Sequence, residues 1–279
     1  MLKAAPPQKG ELLSKDALPY IRVGIDLHWG VSVRKHFFSK TRETYLVPPP
    51  TTLIGALSYG YSRYVNKPEE MAQEPSTGKT DFYSSAELVR RKVISVNIRV
   101  NTPFIGFSDV VKIWWFRERE KAAKTDAVAV GKSYKGLKND LDTPDLDVVY
   151  FLDKETANKD ELKQLVVSSY SIIRLGGSHG LASVRRVSWG EAKPLDIKKG
   201  ETAFSFWADL SKTPIPTNVL RQLVIDPAKT PAGDYSKAKY REQIYPLRID
   251  TLKLEPVELE VVDRARLYEV EGELVVVEH

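Results

Sequence analysis

The sequence of 279 residues contains no cysteine and only four histidines, His28, His36, His179 and His279. A chain without cysteine has no disulfide framework, no thiol nucleophile and no cysteine-based zinc site. So few histidines also leave little material for other metal sites. We therefore expect neither a bound metal nor a cofactor.

Long hydrophobic runs are missing as well. Apolar stretches such as Leu274–Val277 are far shorter than the roughly 18 residues that a membrane-spanning helix needs. Met1–Gly10 lacks the apolar core of an export signal. With 42% hydrophobic and 28% charged residues, the composition is typical of a globular protein. We expect a cytoplasmic protein with no membrane partner.

Acidic residues are scarce in parts of this chain, whose formal net charge is +5. Leu27–Pro68 carries the single acid Glu43 among several bases, and Leu162–Gly190 carries no acid at all. Both basic windows also contain aromatic residues and glycines, which suit the bases and phosphates of a nucleic acid. An ordinary basic surface is the alternative explanation.

The pattern near the N-terminus predicts a strand, a basic loop and a helix. Tyr20–Leu27 alternates apolar and polar residues as a half-buried strand does. His28–Tyr45 lacks helical periodicity and predicts a long functional loop or an irregular hairpin. After three prolines, Thr51 and Thr52 are expected to supply a capping hydroxyl for the helix. Gly55 in its first turn costs about 1 kcal/mol against alanine unless something approaches that backbone.

The rest of the core is predicted to contain four strands and a second helix. The strands are expected at Lys92–Val100, Val110–Phe116, Leu146–Leu152 and Leu181–Trp189, and the helix runs from a cap at Asp160 to Gly176. Asn66–Ser85 is a polar excursion, and Arg117–Asp145 is an insertion. This order is close to a ferredoxin-like βαββαβ unit with decorations.

We predict an α+β fold in two parts, a core at residues 1–190 and a β-rich C-terminal extension at 191–279 packed on it. The extension has strand-like segments at Ala203–Ala208, Val219–Ile225 and Glu258–Val277. A turn is expected within the last of them, at Glu271-Gly272.

Two helix ends are candidate phosphate sites. The helix after Pro50 presents unpaired N–H groups and a partial positive charge beside the basic loop. In Arg174–Gly180, glycines can turn N–H groups towards an anion and the arginine adds charge. Simple capping and a glycine helix stop are the plainer explanations. The glycines follow a helix instead of opening one, so they match no nucleotide-binding fingerprint.

His36 lies in a basic loop with Arg34, Lys35 and Tyr45, a set that could cleave RNA by general acid–base catalysis without a metal. A histidine in such a loop more often stacks on a base or donates a hydrogen bond. We keep cleavage as the alternative function.

The combination of these motifs resembles a known family. Trp29–Arg42, Tyr45 and Pro48–Leu57 resemble the amino-terminal signature of the Cas-five family of CRISPR-associated proteins. Arg174–Leu181 resembles the glycine-rich loop of the RAMP superfamily that includes it, and Arg117–Asp145 lies where the family carries its thumb. The resemblance covers about residues 20–190.

The resemblance implies a ferredoxin-like (RRM-like) RAMP fold with a protruding thumb at about 117–145. It also implies a subunit of a type I Cascade complex that grips the 5′ handle of the crRNA and caps a backbone of Cas-seven subunits. Further partners would be the large subunit, the small subunit and, through the assembled complex, target DNA. The proline-rich helix entry and the Arg174–Gly177 sequence are most similar to the archaeal type I-A branch.

In one branch of the family, the Cas-five protein itself cuts precursor crRNA with tyrosine, lysine and histidine side chains. The insertion Arg117–Asp145 has lysines but no histidine, so the key residue of that set is missing. We expect a non-catalytic subunit, with a metal-independent endoribonuclease that processes precursor crRNA as the alternative. A ribosome-associated RNA binder is a third reading, outside the family.

The predicted RNA-binding residues lie in the basic loop, the helix entry, the insertion and the glycine-rich loop. They are Arg34, Lys35, His36, Phe38, Arg42, Tyr45, Thr51, Thr52, Lys132, Tyr134, Lys135, Arg174, Gly176, Gly177, Ser178 and His179.

Overall fold

A computed structural model describes residues 16–35, 43–68, 70–73, 81–115, 124–137, 140–155, 158–177, 179–230, 238–251 and 253–278. These residues form sixteen strands and three α-helices. The strands are β1 (Leu18–Leu27), β2 (Gly30–Val31), β3 (Glu70–Gln73), β4 (Asp81–Ser84), β5 (Val93–Val100), β6 (Phe104–Trp115), β7 (Lys124–Lys135), β8 (Leu146–Leu152), β9 (Ala182–Pro194), β10 (Lys199–Thr202), β11 (Phe206–Trp207), β12 (Val219–Ile225), β13 (Tyr240–Arg248), β14 (Val257–Glu260), β15 (Ala265–Val270) and β16 (Glu273–Glu278). The helices are α1 (Pro50–Tyr64), α2 (Ala86–Arg90) and α3 (Lys159–Ser169).

The largest sheet has six strands in the order β16-β15-β9-β1-β8-β5, and every neighbouring pair is antiparallel. Four of these strands and two helices follow one another along the chain in the order β1-α1-β5-β8-α3-β9, with further elements inserted between them. The predicted mixed α+β, sheet-rich architecture is confirmed.

One face of this sheet packs against α1 and α3. Ile21, Val23 and Ile25 alternate along β1 and are buried in a single cluster with Leu57 of α1 and Leu165 of α3. Each such side chain contributes roughly 1.5–3 kcal/mol when it is fully buried. Strand β8 is buried at all its positions because both faces of the sheet are covered, which explains its unbroken apolar sequence.

A close approach of the two helices depends on one glycine. A Cβ added to Gly60 of α1 would lie 2.5 Å from the carbonyl oxygen of Ser168 in α3. A larger residue would push α1 away from α3 and shift the start of α1, which forms part of the candidate site.

The opposite face of the sheet is covered by the C-terminal part of the chain. Tyr20, Val149 and Phe151 are buried there in one cluster with Phe204 and Tyr268. Strands β15 and β16 also extend the sheet beyond β9. The predicted turn between them is present, since Glu271 and Gly272 have φ values of 52° and 82°.

Both helix starts differ from the sequence analysis. Helix α1 has Pro49 as its N-cap, and Thr51 and Thr52 lie inside the first turn without a side-chain capping bond. The proline at the first helical position explains this earlier start, because its fixed φ suits a helix and its missing N–H needs no partner. Helix α3 is capped by Asn158, whose side chain accepts from two backbone amides, and not by Asp160.

Several strand predictions were also incomplete. Strand β6 begins at Phe104 and pairs along its whole length with β7. The segment predicted as a core strand at Val110–Phe116 therefore lies in a long hairpin over its described residues, which end at Trp115. The polar excursion contains the paired strands β3 and β4. Strand β13, which lies between β11 and β12, was not predicted. Within the described residues, the helices are too short or too polar to cross a membrane.

Candidate nucleic-acid interface

Three segments that are distant in sequence meet at the start of α1. The basic loop, the first turn of α1 and the glycine-rich loop enclose a cavity of about 400 Å³, which we call the phosphate cavity. It is lined by Ser32, Val33, Arg34, Tyr45, Pro49, Thr51, Thr52, Gly176, Gly177 and Ile225. The structure therefore brings together six of the predicted residues: Arg34, Tyr45, Thr51, Thr52, Gly176 and Gly177.

Over its described residues, the basic loop is an irregular hairpin, which is one of the two forms predicted for it. The amide of Lys35 donates to the carbonyl of Glu43 at 2.9 Å, and the amide of Tyr45 donates to Val33 at 2.9 Å. At its start, Gly30 and Val31 pair with Tyr134 and Ser133 of β7. The loop is thus held against the β6–β7 hairpin, and Arg34 is fixed at the rim of the cavity.

The glycine-rich loop is closed by its own backbone. The amide of Gly177 donates to Ser32 at 2.9 Å, and the amide of Gly180 donates to Gly177 at 2.9 Å. Gly176 has a φ of +75°, and a Cβ there would lie 2.6 Å from the carbonyl oxygen of Ser32. Glycine is therefore required at 176. Because the amides of Gly177 and Gly180 are used within the protein, these two do not form the predicted anion-binding nest.

Positive charge reaches the cavity from Arg34 and a helix end, and Arg174 lies in the adjoining groove. Arg34 and Arg174 are exposed, and neither guanidinium has an ion pair or a side-chain hydrogen bond to a residue that the structure describes. Lys35, in contrast, pairs with Glu43 at 3.1 Å. The first turn of α1 contains no acid, so the partial positive charge of its N-terminus is not offset there.

A second opening lies on the other side of Thr52 and Gly176. This groove has a volume of about 520 Å³ and is lined by Thr52, Gly55, Ala56, Ser58, Tyr59, Ser84, Ser85, Ala86, Ile173, Arg174, Gly176 and Leu181. A Cβ on Gly55 would meet nothing within 4 Å, so the exposed helix backbone faces open space. Hydroxyl groups predominate among its polar walls, and Arg174 is its only charged lining residue within the described part of the chain.

Tyr45 forms part of the cavity wall, but its hydroxyl is already used. It is 3% exposed, and its hydroxyl donates to the carbonyl of Leu223 at 3.1 Å. Burial raises the pKa of Tyr45 to about 12. The phenol is therefore neutral at physiological pH and is directed into the protein.

Gln222 of β12 also supports this wall, and the sequence analysis missed it. Its Oε1 accepts from the amides of Leu46 and Val47 at 2.7 and 3.2 Å, and its Nε2 donates to Val47 at 3.1 Å. The amide side chain replaces a strand partner for the residues that lead into α1. A lone glutamine in a predicted strand carries no sequence signal for such a contact.

The predicted residues of the insertion lie on β7 and have different surroundings. Tyr134 is 37% exposed, and its ring is tilted against that of Phe107 with centroids 6.3 Å apart. Lys135 forms an ion pair with Asp145 at 2.9 Å. Lys132 is partly buried on the same strand. These residues do not line the phosphate cavity.

Asp145 fixes the base of the hairpin to the core. Its carboxylate accepts from the amide of Leu27 at 2.8 Å, from Thr102 at 2.6 Å and from Lys135 at 2.9 Å. Burial alone would raise its pKa, but the hydrogen bonds from Thr102, Lys135 and Leu27 hold the pKa below its ordinary value. The charged form of Asp145 is therefore part of the fold.

Five predicted residues remain. His36, Phe38, Arg42 and Ser178 lie outside the described residues, and His179 is exposed at the turn of the glycine-rich loop. Among the described residues, no three histidines, aspartates or glutamates cluster as metal ligands would.

Comparison with known proteins gives the family. Over 180 residues, or 62% of this chain, the sequence is 33% identical to "CRISPR-associated protein Cas5 3" of Saccharolobus solfataricus. It is 32% identical over the same length to "CRISPR system aCascade subunit Cas5 1" of that organism. The chain belongs to the Cas-five (Cas5) family.

The match covers 66% of each curated Cas-five relative, just under two thirds of its length. No family model matches the sequence. A crystal structure of a CRISPR protein from Archaeoglobus fulgidus aligns with 94% of this chain and 100% of its own, with a TM-score of 0.61 at 15% identity. That likeness shows a shared fold.

Proposed function

We propose that this Cas-five protein is a non-catalytic RNA-binding subunit of a type I CRISPR interference (Cascade) complex. It binds the 5′ handle of the crRNA and caps the backbone of Cas-seven subunits. The observation that carries this proposal is the phosphate cavity, where Arg34 meets the N-terminus of α1, together with the adjoining groove that Arg174 lines; neither arginine has an ion pair to a described residue.

The chemistry of the two openings favours single-stranded RNA. Phosphates suit Arg34, Arg174 and the positive end of α1. The groove next to the cavity offers hydroxyl groups and an open helix backbone at Gly55, which can receive an unstacked base and its ribose. Thr52 and Gly176 line both openings, so one strand can occupy both.

The wider assignment rests on the family and the fold. We propose that β9-β1-β8-β5 with α1 and α3 forms a ferredoxin-like RAMP core and that the β6–β7 hairpin is its thumb; the antiparallel strand order supports this. One curated relative is described as an aCascade subunit, which supports a Cascade of the archaeal type I-A branch. The large subunit, the small subunit and target DNA are the further partners of that assembly.

The surroundings of Tyr45 support a role without catalysis. A general acid or base must reach the proton that it transfers, in hydrogen-bond geometry. The hydroxyl of Tyr45 instead donates to Leu223, and burial raises its pKa to about 12. We therefore propose that Tyr45 shapes the cavity wall and leaves the RNA intact.

Binding to a short single-stranded RNA at several salt concentrations tests the phosphate cavity. Arg34→Ala and Arg174→Ala should each weaken binding and reduce the slope of log K against log salt by about 0.7, as the loss of one phosphate contact does. Arg266→Ala is the matched control, because Arg266 lies on β15 and lines neither opening. Parental slopes in both cavity variants would reject the assigned interface.

Two further measurements test the assembly and the absence of cleavage. Co-expression with Cas-seven and a crRNA should yield a complex that contains this chain at the 5′ handle, seen by RNA crosslinking and peptide mapping. Precursor crRNA incubated with the purified chain in EDTA should remain whole. A discrete product at the repeat would instead establish the endoribonuclease alternative, and His36→Ala should then abolish it.

A further inference from the structure

One face of the β6–β7 hairpin near its base is apolar. Ile105 is opposite Tyr134 in the strand register, and Phe107 is opposite Lys132. Cross-strand partners share a face of a sheet, and so do residues two apart on one strand. These four residues therefore lie on the same side, which we call the aromatic face.

Among the residues that the structure describes, packing does not account for the aromatic face. Ile105 is 57% exposed and Phe107 is 56% exposed, whereas Phe104 on the other face of β6 is fully buried in the core. A hairpin with one buried face normally carries polar residues on its outer face. Adjacent exposed aromatic side chains are thus a sign of a binding surface.

No side chain lies opposite Tyr134 on the β2 side. Its partner on the β2 side is Gly30, which has no side chain, and a Cβ there would lie 1.9 Å from the carbonyl oxygen of Ser133. Trp29, which is 67% exposed, borders this position, since its carbonyl accepts from the amide of Lys135 at 2.9 Å.

The aromatic face is continuous with the phosphate cavity. The chain passes from Gly30, opposite Tyr134, to Arg34 at the cavity within four residues, a span of at most about 14 Å for an extended chain. Ser32 lines the cavity, and its hydroxyl donates to the carbonyl of Gly131 on β7 at 3.1 Å. A strand whose phosphates occupy the cavity can therefore reach the aromatic face.

The charges around the aromatic face favour a nucleic acid over a protein. The segments 28–35, 104–107 and 131–137 contain Arg34, Lys35, Lys132 and Lys135 and no acid, and Glu43 and Asp145 pair with Lys35 and Lys135. The exposed Arg34 adds positive charge between the aromatic face and the cavity. Lysine is depleted in protein–protein interfaces. Aromatic rings bordered by cations are the usual surface for stacking unpaired bases.

We propose that the aromatic face stacks unpaired bases of the RNA whose phosphates lie in the cavity, with Phe107 and Tyr134 as the stacking residues. This proposal rests on the proposed function. Stacking reads the faces of the bases and not their edges, so the aromatic face accepts RNA of any sequence.

The test measures binding of the full chain to a short RNA of mixed sequence and to the same RNA with abasic positions. Phe107→Ala and Tyr134→Ala should each weaken binding of the intact RNA by roughly 5- to 100-fold and leave the salt slope unchanged. Neither variant should weaken binding of abasic RNA further, and Phe107→Tyr should bind like the parent. Tyr64→Ala is the matched control, a 55% exposed tyrosine at the far end of α1.

Three results would overturn the proposal. In the first, both alanine variants keep the parental affinity although Arg174→Ala weakens binding, which rejects the aromatic face alone. In the second, the variants weaken binding of abasic and intact RNA equally. In the third, Phe107→Ala alters the oligomeric state in light scattering while RNA affinity stays constant, which makes the surface a contact between copies. The proposed function fails separately, if Arg34→Ala and Arg174→Ala both keep the parental salt slope.

Discussion

Two groups of arginines lie in contrasting surroundings. On the sheet face opposite α1, Arg22, Arg99 and Arg186 all contact the carboxylate of Asp147, at 3.2, 2.6 and 2.9 Å. Glu271 and Glu273 supply further ion pairs to that group. Arg34 at the phosphate cavity and Arg174 in the adjoining groove have no ion pair to a described residue.

The difference separates arginines that stabilise the fold from exposed arginines that, under the proposed function, bind phosphates. Arg22 and Asp147 are both almost wholly buried, so each charge depends on the other. Burial alone would raise the pKa of Asp147, but the charges of Arg22 and its neighbours hold it below the ordinary value. The exposed guanidiniums of Arg34 and Arg174 are hydrated, so they remain charged without a protein partner. They form an ion pair only when an anion binds.

Removal of the central acid should have the largest effect on stability. Asp147→Asn leaves three arginines without their shared counter-charge, and breaking a buried ion pair costs about 3–5 kcal/mol. Chemical unfolding of the full chain measures this loss. Asp142→Asn, which changes an exposed aspartate just before β8, is the control. Equal stabilities of the two variants would show that the buried group is not a structural one.

Asp147 of this group and Asp145 at the base of the hairpin should make stability depend on acid pH. Asp145 and Asp147 both have a folded-state pKa below the ordinary value of 3.8. Their contribution is therefore complete above that value and is lost as the pH falls below it, through their folded-state pKa. Unfolding free energies measured from pH 7 to pH 2.5 should fall most steeply below about pH 4. Asp147→Asn should flatten that fall, and an unchanged slope would contradict the assignment.

At the cavity, a backbone change should matter more than a charge change. Gly176→Ala places a Cβ 2.6 Å from the carbonyl of Ser32 at a φ of +75°. We expect a loss of about 1–3 kcal/mol in unfolding free energy and weaker RNA binding. Gly272→Ala is an informative control, because its φ is also positive but a Cβ there meets nothing within 4 Å. A loss no larger than that of the control would show that the close approach to Ser32 is unimportant.

The smallest effect on stability is expected at Arg34 and Arg174, the arginines of the cavity and the adjoining groove. Arg174→Ala should change the unfolding free energy by less than about 0.5 kcal/mol, as exposed residues without special contacts do. The same variant should weaken RNA binding, so binding and stability separate at this residue. A stability loss as large as that of Asp147→Asn would remove the distinction between the two groups of arginines.

Local pattern predicted much of the fold. Strand β8 has the predicted bounds Leu146–Leu152, and β12 has the predicted bounds Val219–Ile225, because each is a short apolar run between breaks in the pattern. The turn at Glu271-Gly272 could be found because a glycine there permits the positive φ that a tight hairpin needs.

Contacts between residues that are distant in the sequence could not be predicted from the local residue pattern. Phe104 and Lys135 begin and end one hairpin, but nothing near either residue specifies the other, so the insertion was placed too late in the chain. At the site, the motif residues Arg34, Thr52 and Gly176 were found from composition and glycine placement. Their common cavity depends on the hydrogen bond from Gly177 to Ser32, a pairing across more than a hundred residues.

The contact of Gln222 with Leu46 and Val47 has a consequence for how the protein can be divided. A chain cut before β12 would keep every residue of α1 but would leave the amides of Leu46 and Val47 without this acceptor. The approach to the helix would then be free to shift, and the candidate site would loosen although none of its predicted residues had been removed. Integrity of the candidate site thus depends on a distant part of the polypeptide.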